Sequence, residues 1–331
     1  MRAVVLDGRG SIELRDVPDP VPGPAEVVIA PAAVGICGTD LHLASGDYPT
    51  GRFPVVPGHE FAGRVAAVGP EVPDLAVGDR VCVDPNVACG QCGQCRSGAP
   101  NLCPYLVPIG VTSDGACAEL VRVPRRVVYG LPDGLDEATG ALIEPFACVL
   151  HAASRIGPMR GQRVLVYGAG SIGLMTVAFA RAEGARSVEV VEPSEVRRAA
   201  AAEFGADRAW APGQRSTERD VDLVVEASGH PDAVADSLLR LAERGTLLQM
   251  GVVSPKESIA LFPYDLFDRE LTLVGSQSLA TSYPAAVDAM AALRGIADRM
   301  VTHTFGLDDY AEALETARSD QARKVHILPQ R

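Results

Sequence analysis

Short runs in which apolar residues alternate with polar ones fill roughly the first 150 residues, each broken by glycine or proline: "AEVVIAPAAV", "EFAGRVAAVG", "GDRVCVDP" and "CAELVRVP". Closely spaced strands with such punctuation predict a β-rich, barrel-type domain. The opening stretch "MRAVVLDGRGSIELRDV" has the same texture and lacks the apolar centre of a signal peptide. From about Arg163 the period changes. "RVLVY" precedes the helical run "IGLMTVAFARAEGA", and "SVEVVEP", a helix through Val196–Phe204, "VDLVVEASG", "GTLLQMGV" and "LTLVGSQS" follow. Strands alternating with helices predict a parallel, doubly wound sheet. Beyond residue 280, "YPAAVDAMAALRG" and "LDDYAEALETARS" read as helices and "KVHIL" as a last strand. The fold class expected is thus α/β with a second, β-rich domain.

Length and charge narrow the function. A chain of 331 residues exceeds one ordinary core and suggests about two domains. A net charge of −12 argues against a nucleic-acid partner, which selects for a basic face. No apolar run reaches membrane-spanning length, so a cytoplasmic protein is expected, where clustered thiols favour metal over disulfides. Of 30 basic residues only Lys256 and Lys324 are lysines, which leaves few amines for Schiff-base chemistry.

Gly168-Ala169-Gly170-Ser171-Ile172-Gly173 fits G-x-G-x-x-G, follows an apolar strand and opens a helix, and Glu192 ends the next strand nineteen residues after Gly173. That context, rather than the glycines alone, is the dinucleotide fingerprint. The glycines admit a pyrophosphate to the helix N-terminus, where the helix dipole favours it. Glu192 would accept ribose hydroxyls and repel a 2′-phosphate, which favours NAD. Arg197 and Arg198 in the next helix keep NADP open. Ser228, Gly229, Val252 and Ser276 follow strand ends and are expected to border the nicotinamide.

Cys89, Cys92, Cys95 and Cys103 are spaced x2, x2, x7 in a loop rich in glycine and glutamine. Four thiolates close a tetrahedron around one zinc and leave no place for substrate. An iron–sulfur cluster is the rival, since Pro104 follows the last cysteine, but its usual final spacing is three. Cys37, His59, Glu60 and Glu144 are chemically suited to a second, open zinc site. Their distances in sequence cannot establish it, and a buried cysteine with unrelated acids is the competing reading.

The segments "VGICGTDLH", "FPVVPGHEFAGRVAAVG", "VGDRVCVDP", "CGQCGQCRSGAPNLC", "GACAELVRVP", "IEPFACVLHA" and "VLVYGAGSIGL" together resemble the zinc-dependent medium-chain dehydrogenases/reductases, in the sorbitol (polyol) and threonine dehydrogenase branch. The resemblance covers nearly the whole chain. It implies a GroES-like catalytic domain, residues 1–150 and 281–331, and a Rossmann domain, residues 151–280, with catalysis in the cleft between them. It implies that Cys37 and His59 bind a catalytic zinc, that Glu60 enters or leaves the metal shell, and that Glu144 is the ligand typical of the polyol branch. Cys148 is then an ordinary small buried residue. Thr39 would touch the substrate oxygen, and His42 would pass its proton on, as in threonine dehydrogenases. The remaining histidines, His151, His230, His303 and His326, carry no motif. Two zinc ions per chain, NAD and a homo-dimer or homo-tetramer follow. So does oxidation of a small secondary alcohol: a polyol or (amino-)cyclitol, with L-threonine as the alternative. An iron–sulfur electron carrier and a nucleotide-sensing binding protein are the readings from other classes.

Overall fold

Six parallel strands form the sheet that carries the glycine loop. Their spatial order is Arg208–Trp210, Ser187–Val191, Arg163–Tyr167, Val221–Glu226, Leu241–Gln249, Thr272–Gly275. Numbered along the chain this is 3-2-1-4-5-6, the dinucleotide-binding order, whose direction reverses between Arg163–Tyr167 and Val221–Glu226. Val164, Leu165 and Val166 are buried in succession, as a central parallel strand covered on both faces requires. The computed structural model describes residues 1–331 apart from 47, 49, 50 and 294. The chain divides into one unit of Met1–Ala147 with Ala280–Arg331, and a second of Cys148–Leu279 that holds this sheet.

Helices Ser171–Ala182, Glu195–Glu203 and Pro231–Arg240 belong to the second unit. The first two match the periodic runs, and Ser194 caps the second by accepting the Arg197 N–H. Pro231–Arg240 was not evident from the apolar pattern, although Pro231 at its first turn is a start signal. The strand before "GTLLQMGV" begins at Leu241, earlier than that run, by placing Arg244 at φ 62 and shifting register against Val221–Leu223.

In the first unit seven strands form a mixed sheet. The path runs Val301–Phe305, Lys324–Ile327, Glu26–Gly35, Glu60–Val68, Arg80–Val83, Val128–Gly130, with Val121–Pro124 also paired to Glu26–Gly35. Its core includes Ile29, Phe61, Val81, Tyr310 and Ile327. Burying a side chain such as Phe61 contributes about 1.5–3 kcal/mol. Two differences from the sequence pattern matter for the site. Ile143–Ser154, read within a β-rich stretch, is a helix that carries Glu144 on its first turn. Val301–Phe305 is a strand, paired in parallel with Lys324–Ile327. Among the described residues no helix is long and apolar enough to cross a membrane.

Candidate metal centres and nucleotide site

Cys37 is the extended residue that starts helix Gly38–Ser45, and its N–H donates to Asp40 Oδ2 at 2.8 Å. A carboxylate at the third helical position ties the cysteine backbone down. Asp40 is itself buried, and its other oxygen lies 3.7 Å from His59 Nδ1. One side chain thereby holds the Cys37 backbone by a hydrogen bond and faces His59 electrostatically, without a hydrogen bond to its ring. Glu60 opens the next strand opposite Gly35, where a Cβ would stand 2.1 Å from Glu60 Oε2. Gly35 is therefore the residue that gives this glutamate room. Glu60 Oε2 pairs with the Lys324 ammonium, and both side chains are almost wholly buried.

One donor atom each from Cys37, His59 and Glu60 lies within 4.8 Å of the others. Glu144 is outside this triad but buried and electrostatically coupled to it: burial, then the negative charge of Glu60, push its carboxyl up to about 7. Burial also raises Asp40. At His59 burial opposes a proton, yet Asp40, Cys37 and Glu144 outweigh it and hold the imidazole well above its ordinary value. The pocket thus gathers acids and a thiol around the single ammonium of Lys324. A divalent cation offsets that excess of buried negative charge, and cysteine, histidine and carboxylate are zinc's donor set. The residues fit the metal.

Thr39 Oγ1 lies 3.9 Å from Cys37 Sγ. His42 is exposed, three residues further along the same helix, a spacing that keeps the two on one face. Cys148 is half-buried rather than buried. His326, passed over in the sequence, is fully buried with neither ring nitrogen bonded, and burial, with Lys324 nearby, pulls it down to about 4.

The four-cysteine loop has a different geometry. Cys92 Sγ is 3.4 Å from Cys95 Sγ and 3.7 Å from Cys103 Sγ, and Cys89 Sγ is 4.0 Å from Cys95 Sγ. These distances exclude disulfides, whose sulfurs are about 2.05 Å apart. Zinc–sulfur bonds of about 2.3 Å give a tetrahedron an edge of about 3.8 Å. A four-iron cluster would spread its thiolates over four different metals, farther apart than this. Backbone N–H groups of Cys89, Cys95 and Tyr105 point at the sulfurs. The Gln91 N–H, foremost, lowers the Cys89 thiol to about 6, while desolvation and neighbouring sulfurs push Cys95 up to about 12. One thiolate forms readily and the next resists, a conflict that a dication removes.

In the second unit a cavity of about 580 Å³ is lined by Gly168, Gly170, Glu192, Arg197, Ser228 and Asp236 among others. Gly168 has φ 93, and a Cβ there would meet Ala227 O and Ser228 N at 3.1 Å. At Gly173 a Cβ would lie 1.9 Å from Gly168 O, whereas at Gly170 it would meet nothing. The first and third glycines serve close packing; the middle one faces open space. No side chain caps helix Ser171–Ala182, leaving its leading N–H groups to an anion. Ser171 and Ile172 form its first turn.

Glu192 is held on both oxygens, by the Ala169 N–H at 2.8 Å and the Ser194 N–H at 2.9 Å. Arg198 bonds the Glu192 and Pro193 carbonyls, so of the two arginines it is Arg197 that lines the cavity. Val252 is 86% exposed, and the Ser276 N–H bonds Gln249 O. A larger cavity, about 860 Å³, lies in the first unit beside Arg15, Asp114 and Arg122. It contains none of the candidate ligands, and chemistry rather than volume decides between the two.

Sequence reasoning missed Asp40 and Lys324. A carboxylate three residues after a helix-starting cysteine signals the first. The second is one of two lysines in an arginine-rich chain.

Comparison with known proteins adds independent findings. The family model described as alcohol dehydrogenase GroES-like domain matches residues 23–133, and that described as zinc-binding dehydrogenase matches residues 171–292. Sorbitol dehydrogenase of Bacillus subtilis is 34% identical, over 100% of this chain and 98% of its own length. L-threonine 3-dehydrogenase of Streptomyces avermitilis is 35% identical, over 98% of each. A protein described as a zinc-binding dehydrogenase from Sinorhizobium meliloti, solved bound to NADP, superposes with a TM-score of 0.94 at 36% identity, over 99% of each chain.

Proposed function

Because the chain belongs to the zinc-dependent medium-chain dehydrogenase/reductase family, we propose that it moves a hydride between NAD and a secondary alcohol, a polyol or cyclitol in particular. The observation that carries this reading is the buried cluster of Cys37, His59 and Glu60, with the Glu144 carboxyl buried and pushed up by the charge of Glu60, in a chain that also holds the glycine loop. Zinc in that pocket supplies Lewis acidity, which lowers the pKa of an alcohol oxygen. The nicotinamide ring supplies the hydride acceptor.

The protein's own groups do the rest. Cys37, His59 and Glu144 are the ligands in this reading. Lys324 draws Glu60 toward itself, which leaves Glu60 as the exchangeable carboxylate. Asp40 orients the His59 ring. Thr39 would relay the alcohol proton, its Oγ1 accepting that proton as it releases its own hydroxyl proton toward His42, which, exposed one turn on, passes a proton to solvent. The Cys89–Cys103 loop holds a second zinc and stiffens its lobe without touching substrate.

Glu192 supports NAD over NADP, since its fixed carboxylate lines the cavity beside the glycine loop and would repel a 2′-phosphate there. The NADP-bound relative makes this the point to test, with Arg197 as the residue that would favour phosphate. The branch resemblance supports a homo-dimer or homo-tetramer. Thiolate ligands at both centres suit the reducing cytoplasm. L-threonine is the second substrate reading, favoured by His42 following Thr39.

The test is a reduction screen with NAD⁺ and NADP⁺ across polyols, cyclitols, amino-cyclitols, threonine and simple secondary alcohols, on protein of measured zinc content. The account expects about two zinc per chain and turnover with NAD⁺. No turnover on any alcohol at full zinc loading would overturn it.

A further inference from the structure

The cavity beside the glycine loop takes its walls from the ends of four strands, Arg208–Trp210, Ser187–Val191, Arg163–Tyr167 and Val221–Glu226. Of the residues expected beside the nicotinamide, Ser228 lines it, whereas Val252 and Ser276 do not. Glu192 lines it too, and an acid at that place accepts the ribose hydroxyl of the adenosine. The cavity therefore receives the adenosine half of a dinucleotide.

A second acid lines the same cavity, and its direction is fixed. Asp236, on helix Pro231–Arg240, accepts the Tyr167 phenol on Oδ2 at 2.5 Å and the Arg240 guanidinium, one turn on, on Oδ1. Burial, and then Asp236, hold the Tyr167 phenol above its ordinary value, so it stays a donor. Arg240 is buried and also bonds Ser216 O at 2.9 Å. That carbonyl follows Pro212 and Gly213, which line the cavity as well. A strand end, a helix and the stretch after Trp210 are thus tied to one carboxylate.

Pairing with Arg240 explains a carboxylate at this point but not its exposure. The Asp236 side chain is 31% exposed, against 8% for Arg240. Two oxygens offer about four acceptor sites, so capacity remains after Tyr167 and Arg240 are bound. Neighbouring groups compete little: His230 Nδ1 accepts the Asp232 N–H, and the Asp232 side chain is 95% exposed to water. An oriented acceptor calls for a neutral donor, since it would repel a phosphate. With the ribose hydroxyls assigned to Glu192, the donor left on adenosine is the exocyclic amine of adenine. We infer that Asp236 accepts this amine and selects an adenine dinucleotide over an oxopurine one. This rests on the dinucleotide reading above.

The test is calorimetric titration of the zinc-loaded protein with NADH and, separately, with its hypoxanthine analogue, in which an oxygen replaces the amine. That oxygen would face Asp236 as one acceptor faces another. The wild type should bind NADH at least ~10-fold more tightly than the analogue, on the order of one charged hydrogen bond. Asparagine presents a donor as well as an acceptor, so Asp236→Asn should bring the ratio to within ~3-fold. Should that variant not fold, Asp236→Asn combined with Arg240→Met removes both charges together, a change that buried pairs tolerate, and the ratio should fall in the same way. A purely structural Asp236 would weaken both ligands alike. Equal binding of the two ligands by the wild type, or an unchanged ratio in a folded variant, overturns the inference. A wild-type protein that binds neither ligand overturns the dinucleotide reading itself.

Discussion

The Cys89–Cys103 loop and the pocket around Cys37 are both thiolate sites in one structural unit, and they are assembled in opposite ways. The loop collects four like ligands from fifteen residues near the surface, with sulfurs at the edge length of a zinc tetrahedron. The pocket draws unlike ligands from segments far apart in the chain, buries them, and balances their charge with a lysine from the last strand. A local set of identical ligands can saturate a metal and so serves the fold. A dispersed, charge-tuned set can leave a coordination position open, and that position is what chemistry needs. On the proposed reading, the conspicuous motif and the reactive one are different places.

The sharpest way to separate the two is to remove metal gradually. Dialysis against a chelator should cost more than ~10³-fold in turnover through loss of Lewis-acid stabilisation while melting temperature changes little. Only later should the loop release its zinc and the melting temperature fall. Simultaneous loss of both properties would erase the distinction drawn here. Next in size is Lys324→Met, which leaves Glu60 buried without its partner. Breaking a buried pair in this way costs about 3–5 kcal/mol, read by denaturant unfolding; an unchanged midpoint would mean that Glu60 finds another cation, such as the metal.

Cys92→Ala should lower the melting temperature, by about 2–4 °C for each kcal/mol lost. The fraction that stays folded should keep turnover within about twofold, because this loop does not touch the reacting atoms. Loss of specific activity without loss of stability would return the loop to the catalytic site.

The smallest effect is pH-dependent and belongs to His326. Its folded-state value, about 4, lies below the ordinary 6.5, so the unfolded chain binds the proton first. The stability its neutral form contributes is complete above pH 6.5 and is lost as pH falls through about 4, on the order of 3 kcal/mol in all. His326→Leu should flatten that part of the stability curve measured by thermal melts from pH 7 to 4. An identical acid limb in the variant would show that another group carries it.

How much of this was legible in the sequence follows the same division. The glycine loop, the helices after it and the four-cysteine spacing are local patterns, and each stands on the element its periodicity indicated. Cys37, His59 and Glu144 became readable as candidate ligands only through resemblance to a family, because groups drawn from separate segments of the fold leave no spacing rule behind; the structure brings Cys37 and His59 together with Glu60 and leaves Glu144, on its helix, outside that triad. Asp40 and Lys324 were silent for a related reason. Each acts by accepting or donating to backbone or to another side chain across the fold, and a single buried charge has no periodicity. The helix Ile143–Ser154 lies at the end of the stretch read as β-rich and was not singled out, because residues buried almost all round leave no amphipathic stripe.

The central claim, that chemistry resides at the Cys37 pocket rather than at the cysteine loop, is tested most directly by zinc content and alcohol-dependent NAD⁺ reduction measured on one preparation of Cys37→Ser. The account predicts about one zinc per chain, retained NADH binding and turnover reduced by more than ~10³-fold. Two zinc ions with near-wild-type turnover would contradict it.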